Sequence, residues 1–319
     1  QNVTVLHIAA KNGHDTFITA LYNLFGDTID VNAHDDRNCT ALMVAARYGH
    51  PSCITTLYNI YGNKIKYNAV DIYEFNALMI AAENGHADCI TALYNIYGDK
   101  INYNAVGHYN HYNDNALMRA ARCGHADCIT ALYDAYGDKI DYNAIDKDKK
   151  NALLLAIRSG HADCITALYN TYGDKIDINA VDCYDNNALL LAARYGRIDC
   201  RTALHTCFGD KIDYNAVDNI GHTALEVAIN LSWFDCVIKL CELFGKKIHI
   251  NLDKVLVRAV SQNTYREDIL VALYTYCDDN IDWNSDYLLK NNIIFAALDS
   301  EYNSQKRLQT LYKYWGDKI

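Results

Sequence analysis

The chain repeats itself at a nearly fixed interval. Leu6, Leu42, Leu78, Leu117, Leu153, Leu189 and Leu225 hold one place in seven near-copies of a single string, separated by 36, 36, 39, 36, 36 and 36 residues. A period of this length limits the fold more than any composition does, because it marks a stack of one supersecondary unit. Residues 76–106, NALMIAAENGHADCITALYNIYGDKINYNAV, show the unit at its clearest.

Within that copy, Leu78, Met79, Ala81 and Ala82 predict a short helix whose alanines let neighbours approach closely, and Gly85-His86 breaks it. Residues 87–97 predict a second helix, because Cys89, Ile90, Leu93, Ile96 and Tyr97 recur at helical spacing. Asp88 suits the positive end of its dipole, and Gly98 is expected to close it in a left-handed conformation. Residues 101–106 then run extended into the next copy. One such unit cannot bury its own apolar face, so it needs neighbours.

The phrases TVLHIAAKNGH at residues 4–14 and TALMVAARYGH at 40–50 resemble the signature of the ankyrin repeat, as do the closing pairs Asn32-Ala33, Asn68-Ala69, Asn104-Ala105, Asn143-Ala144, Asn179-Ala180 and Asn215-Ala216. The resemblance implies an all-α solenoid of stacked helix-turn-helix units with finger loops. Each unit is three residues longer than the family's usual 33, with the extra residues around the glycine that follows the second helix. The proline that usually opens the first helix is absent; Pro51 is the only proline in the chain. Helix starts therefore rest on Thr4, Thr40, Asn76, Asn115, Asn151, Asn187 and Thr223 as caps.

Composition removes several alternatives. A formal charge of -10 argues against general nucleic-acid affinity, which needs phosphate neutralisation. No apolar run approaches the roughly 18 to 20 residues that cross a bilayer. Six of the 12 cysteines (Cys53, Cys89, Cys128, Cys164, Cys200 and Cys236) form one column that admits Phe17 as its first member, so they read as small core hydrophobes. Helices packed roughly 8 to 10 Å apart lie beyond the Cα separation a disulfide tolerates. Reduced thiols point to a cytoplasmic setting, the host cytosol if the chain is a secreted effector.

Seven regular units are expected over residues 1–250 and two degenerate ones over 251–319 as a C-terminal cap region. The seventh frays where Ser232-Trp233 replaces Gly-His. The last two keep second helices at 269–277 and 308–315 and first-helix traces at 256–259 and 293–296. The fourth unit carries three added residues in its finger, VGHYNHYND at 106–114. The absent initiator Met and a terminal Gly-Asp-Lys-Ile suggest a segment of a longer protein.

No nucleophile arrangement, phosphate-cradling loop or acid pair stands out from the repeat, so neither catalytic residues nor a cofactor is expected. His-x-x-Cys at His50/Cys53, His86/Cys89, His125/Cys128 and His161/Cys164 has zinc-like spacing, but the resemblance makes each histidine a turn-tying group and each cysteine core. Tyr61, Tyr97, Tyr136 and Tyr172, with Tyr22, Tyr58, Tyr94, Tyr133 and Tyr169, are expected to stack between units with hydroxyls reaching the outer surface.

In the family, partners lie on finger tips and on the exposed end of the first helix. The latter slot reads Lys11, Arg47, Glu83, Arg122, Arg158, Arg194 and Asn230, five cations and one acid in an acidic chain. The expectation is a protein-interaction module, monomeric, that holds an acidic and apolar partner segment along a concave groove. Arg47, Arg122, Arg158 and Arg194 would supply charge. Tyr48, Tyr73, Phe75, Tyr109, Tyr112, Tyr184 and Tyr195 would be apolar anchors, and the enlarged finger with His108 and His111 the foremost site. The alternative is the targeting arm of a larger enzyme or effector whose catalytic part lies outside this chain.

Overall fold

The structure, a computed structural model, describes residues 2–109, 112–244, 256, 260, 267–277 and 304–316. They fall into two compact units, Gln1–Ala180 and Val181–Ile319. The expected boundary near residue 250 lies outside the described residues.

The first unit is five helix pairs: α1 (Val5–Lys11) with α2 (Asp15–Phe25), α3 (Ala41–Arg47) with α4 (Pro51–Tyr61), α5 (Ala77–Glu83) with α6 (Ala87–Tyr97), α7 (Ala116–Cys123) with α8 (Ala126–Tyr136), and α9 (Ala152–Ser159) with α10 (Ala162–Tyr172). First helices pack on first helices and second on second, so each pair is covered by its neighbours. Every first helix opens on a Thr or Asn whose side-chain oxygen accepts the N3 backbone N–H, as at Thr40 and Asn76. The asparagine caps do more: Asn76 and Asn115 donate their side-chain N–H to the carbonyls of Asn102 and Asp141 at 2.8 and 3.1 Å.

The core is the expected column set. Leu42, Leu78, Leu117 and Leu153 are buried together with Cys53, Cys89, Cys128 and Cys164. Burial pushes the Cys89 and Cys128 thiols up to about 12, which leaves them inert as nucleophiles. The tyrosine columns interlock: Tyr22, Tyr58, Tyr94 and Tyr133 meet Tyr61, Tyr97, Tyr136 and Tyr172 edge to face at centroid distances of 5.1–5.6 Å. The hydroxyls of the second set do not reach the outer surface. They are buried without a hydrogen-bond partner, because the rings lie flat between repeats and Tyr67 and Tyr103 stack over two of them at 4.6 and 4.8 Å.

Two kinds of glycine shape each pair. Gly98, after α6, has φ 50° and ψ -133°, a region open only to glycine rather than the left-handed helical cap expected, and a single 3₁₀ turn follows it. Nothing lies near the position of its absent Cβ, so backbone conformation alone requires it. Gly49 has φ 75°, and a Cβ there would stand 2.7 Å from His86 Nδ1. His86 Nε2 in turn meets the Arg47 carbonyl at 3.0 Å, as His50 meets Lys11 and His125 meets Glu83. These histidines tie one repeat to the previous one, not their own turn.

The second unit holds α11 (Ala188–Arg194) with α12 (Ile198–Phe208), α13 (Ala224–Asn230) with α14 (Phe234–Phe244), then α15 (Glu267–Cys277) and α16 (Ser304–Trp315), and α15 packs on α14 and α16. These last two cover the second helices expected for the degenerate units; the first-helix traces at 257–259 and 293–296 lie outside the described residues. The seventh repeat is not frayed at its turn. Ser232 takes the glycine's positive φ of 58° and the Trp233 ring covers Gly196 as a histidine covers the glycine elsewhere. Trp233 N–H donates to the Ala228 carbonyl at 2.9 Å, just as His86 N–H donates to Ala81 at 3.0 Å.

One core position is anomalous. Arg201 holds the slot of Ile54, Ile90, Ile129 and Ile165 and is fully buried. It donates from Nη1 to Cys236 Sγ, while Nε and Nη2 have no partner. Burial lowers the Arg201 pKa from its ordinary value, and among the described residues no buried carboxylate pairs with it. Replacing such a group with an apolar one of similar volume is commonly stabilising. Arg201→Ile is therefore expected to raise stability in urea unfolding by about 2 kcal/mol; no gain would mean the guanidinium finds partners in the core. Tyr97→Phe removes an unpartnered hydroxyl from a column that already accepts Phe208 and Phe244. It should be neutral or stabilising by up to about 1 kcal/mol, and a clear loss would show that the hydroxyl is bonded in solution.

Candidate interaction surface

Fingers begin on an aspartate. Asp71 Oδ1 accepts the backbone N–H groups of Tyr73 and Phe75 at 2.9 and 3.0 Å, and Asp71 N–H donates to the Phe75 carbonyl at 3.0 Å. Asp35, Asp146, Asp182 and Asp218 form the same closed turn. Residue four of the turn is left-handed, with φ between 58° and 64° at Asn38, Glu74, Lys149 and Asp185. A short side-chain acceptor is what such a turn needs, so the aspartate follows Asn-Ala by two positions in each of these fingers.

Backbone hydrogen bonds join neighbouring fingers at three places, each within one unit. In the first unit Ile72 N–H donates to the Arg37 carbonyl at 3.1 Å and His108 N–H to the Tyr73 carbonyl at 2.8 Å. In the second, Asn219 N–H donates to Tyr184 at 3.0 Å. Behind the fingers, Asn32, Asn68, Asn104 and Asn143 each donate to the carbonyl of a lysine one repeat on (Lys64, Lys100, Lys139 and Lys175) and accept a backbone N–H from that same repeat.

The arginine column serves the fingers. Arg47 Nη2 donates to Asp71 Oδ2 at 3.3 Å, Arg122 Nη2 to Asp146 Oδ2 at 3.3 Å and Arg194 Nη2 to Asp218 Oδ2 at 2.9 Å, each carboxylate fully buried. Arg122 also grips the finger before it, through Nε and Nη2 to the two oxygens of Asp114 at 2.9 Å. Arg194 does likewise from Nε to Asn186 at 3.2 Å. Their charges are met by their own chain. Arg158 is about a third exposed and stands 4.0 Å from Asp148.

The enlarged finger is a two-stranded hairpin, β1 (Gly107–Tyr109) antiparallel to β2 (Tyr112–Asp114), pairing Gly107 with Asp114 and Tyr109 with Tyr112. Its base is fixed by Arg119, which sits where α5 has Ile80, is buried, and reaches both Asp114 and Glu83. Gly107 lies against the Phe75 ring with no room for a Cβ.

Phe75 is thus not an exposed anchor. It is 2% exposed, lies under the hairpin and carries the Arg119 guanidinium 4.4 Å above its ring. The reason is positional: the residue before the helix cap faces inward, as at Cys39, Lys150 and Asn186, which close aspartate turns, and at Asp114, which ends the hairpin; all four are buried. Tyr48, Tyr73, Tyr184 and Tyr195 are exposed, with Lys11 Nζ 5.3 Å above the Tyr48 ring. His108 is half-exposed, its ring nitrogens 2.8 Å from Asn113 Oδ1 and 3.2 Å from Glu74. Tyr109 and Tyr112 occupy the strands, and His111 lies outside the described residues.

Sequence reasoning passed over the exposed aliphatics. Val70, Val106 and Ile145 in the first unit, and Val181 and Val217 in the second, each follow an Asn-Ala pair and are 37–54% exposed, whereas His34 follows the first pair. Ile72 and Ile220 stand at turn tips, 54% and 69% exposed. Their signal was present as a column in phase, but aliphatic residues in an extended stretch read as core. Among the described residues no three His, Cys, Asp or Glu side chains come together as a metal site, and no helix is long and apolar enough to cross a membrane.

Paired short helices stacked in register, with bonded fingers along one edge, define a repeat scaffold. A family model described as ankyrin repeats matches in three copies at residues 1–71, 60–146 and 138–218, and the chain belongs to the ankyrin-repeat family. Two solved structures are similar. The human ASB11 ankyrin repeat domain has a TM-score of 0.56 at 20% identity, covering 71% of this chain and 92% of that one. The ankyrin repeat domain of Bcl-3, a unique member of the IkappaB protein family, has a TM-score of 0.58 at 21% identity, covering 74% and 99%. Likeness at such identity shows the fold. No curated protein matches the chain. Ankyrin-repeat domains are generally protein-interaction modules, and the fold is typically non-catalytic.

Because Arg122 holds two fingers, Arg122→Ala should destabilise the first unit by about 2 kcal/mol. Amide exchange should quicken in both the hairpin and the Asp146 turn. Faster exchange in one finger alone would show that the second contact carries nothing.

Proposed function

We propose that the apolar side chains held out on the fingers are the surface by which this chain binds another protein. The observation that carries the reading is the contrast within each finger. A buried aspartate and an internal arginine fix the turn, while Ile72, Tyr184 and Ile220 stand 54%, 58% and 69% exposed on it. Large apolar groups on a fixed frame lose little entropy when covered, and tyrosine is among the residues that dominate binding energy. Solvation does not explain them, since a wet surface needs no isoleucine at a turn tip.

An acidic partner is not required. Arg47, Arg122 and Arg194 already have carboxylates, so a partner acid would have to compete with Asp71, Asp146 and Asp218. What remains is an apolar segment with polar flanks, met in the first unit by Tyr48, Tyr73, His108 and the hairpin strands that carry Tyr109 and Tyr112, and in the second, taken by itself, by Tyr184 and Tyr195.

The test is photo-crosslinked capture of partners by the parent chain against Ile72→Ser/Tyr73→Ser in the first unit and Tyr184→Ser/Ile220→Ser in the second. All four side chains are exposed, so circular dichroism should not change. At least one pair should reduce capture by about tenfold. Undiminished capture by both pairs would refute the reading.

A further inference from the structure

Apart from the fingers, we infer that the outward face of α1 and α2 is one half of an inter-repeat interface, and that it takes a further ankyrin repeat stacked on it in register. Val5, Ile8, Phe17, Leu24 and Phe25 stand on this face, 47–76% exposed. All but Leu24 hold the places of Ala41, Val44, Cys53 and Tyr61, which are at most 7% exposed because the preceding helix pair covers them. A repeat that ends a stack needs a polar outer face to stay in solution, and large apolar groups do not provide one.

Polar groups on the same face say what fits there. His50, His86 and His125 each set a ring nitrogen 3.0 Å from a carbonyl of the preceding repeat, at Lys11, Arg47 and Glu83. His14 holds the same place, is exposed, and its ring has no partner among the described residues. Asn32 donates to the Lys64 carbonyl at 2.7 Å and accepts the Lys66 N–H at 2.8 Å, and Asn68, Asn104 and Asn143 do likewise. The Thr28 carbonyl and the Asp30 N–H hold the places of those two groups and have no hydrogen bond among the described residues.

An occupant that completes these bonds has a carbonyl at the end of a short helix, over His14, and an asparagine behind its second helix, between Thr28 and Asp30. Both belong to the repeat itself. An unrelated apolar partner would cover the polar groups without satisfying them, which is unfavourable. A second copy of this chain does not supply them either. The last described helix, α16, exposes Gln305, Lys306, Gln309, Tyr312 and Lys313, a polar surface. Two copies face to face would present the same half of each bond twice. Asn2 and Val3 hold the places of Asn38 and Cys39 at the close of a finger, and Asn2 N–H donates to Asp36 Oδ1 at 3.1 Å. A repeat joined through that finger therefore meets the face in register. Val5 and Phe17 are larger than the Ala41 and Cys53 of the next repeat, so the covering repeat has smaller groups opposite them.

The experiment compares amide exchange in the whole chain with exchange in two fusions. One carries residues 37–72 repeated ahead of residue 1. The other carries the same repeat together with Val5→Ala/Phe17→Cys, which restores the sizes found at interior seams. In at least one fusion, exchange in α1 and α2 should slow by about tenfold or more. His14→Ala should reverse about threefold of that slowing in the fusion and leave the parent chain unchanged. A shuffled version of residues 37–72 in the same place should slow nothing. Unchanged exchange in both fusions, equal slowing by the shuffled segment, or an equal effect of His14→Ala in parent and fusion would each overturn the inference. Self-association of the parent chain in sedimentation, abolished by Ile8→Ser/Phe17→Ser, would give the face to a second copy and overturn it as well.

Discussion

A helix of seven or eight residues makes barely two turns, and among the described residues the first helix of every pair is that short. Alone, such helices do not persist in water, because nucleation is unfavourable and too few bonds follow it. Here first helices such as Ala77–Glu83 and Ala116–Cys123 are buried at nearly every position by the helices before and after them. Stability is therefore a property of the interface between repeats rather than of the repeat. That single constraint explains the small alanines on the first helices, the cysteines on the second, and the tolerance of a three-residue insertion in a finger, which lies outside the stack.

Register between repeats needs direction, which burial does not supply. Polar side chains provide it by reaching one repeat forwards or backwards: Asn68 to Lys100, His86 to Arg47, Arg47 to Asp71. Each joins a side chain to a defined partner in the adjacent copy, and most of those partners are backbone atoms, which survive substitution. The network can thus run through repeats whose surface residues differ. Exposed ladders such as Lys139–Asp99 add little by comparison, because water screens them.

Much of this was legible in the sequence, and the remainder was hidden for identifiable reasons. Period, helix limits, caps and the cysteine column follow from local rules that stacking reinforces. The direction a side chain takes in a finger does not. Phe75 and Tyr73 are two residues apart on one turn, yet one is buried under Gly107 and the other is exposed. The arginine column read as a binding surface because its carboxylates lie 24 residues further on, a separation no motif displays. Tyrosine hydroxyls were expected outside on the rule that buried ones find partners, and Tyr61, Tyr97, Tyr136 and Tyr172 depart from it. Ser232-Trp233 looked like decay, but the turn requires only a residue that tolerates positive φ and a ring to cover the previous glycine.

The enlarged finger shows how such a scaffold acquires a new projection. Extending a loop by three residues would leave a mobile tip, of little use for recognition because the entropy lost in ordering it would offset its attraction to a partner. Here the extension came with Arg119 in a slot that is aliphatic in neighbouring repeats and with Asp114 at the hairpin base. A buried pair of this kind adds little net stability, since desolvation consumes most of the attraction. What it does supply is geometry: the guanidinium lies between Phe75 below, Asp114 at the base of the hairpin and Glu83 on the adjacent helix, and so ties the hairpin base to both. Arg122 then joins Asp114 to Asp146 and carries that placement to the following finger. The base of the strands that carry Tyr109 and Tyr112 is thereby tied to the helices behind it rather than left to the loop.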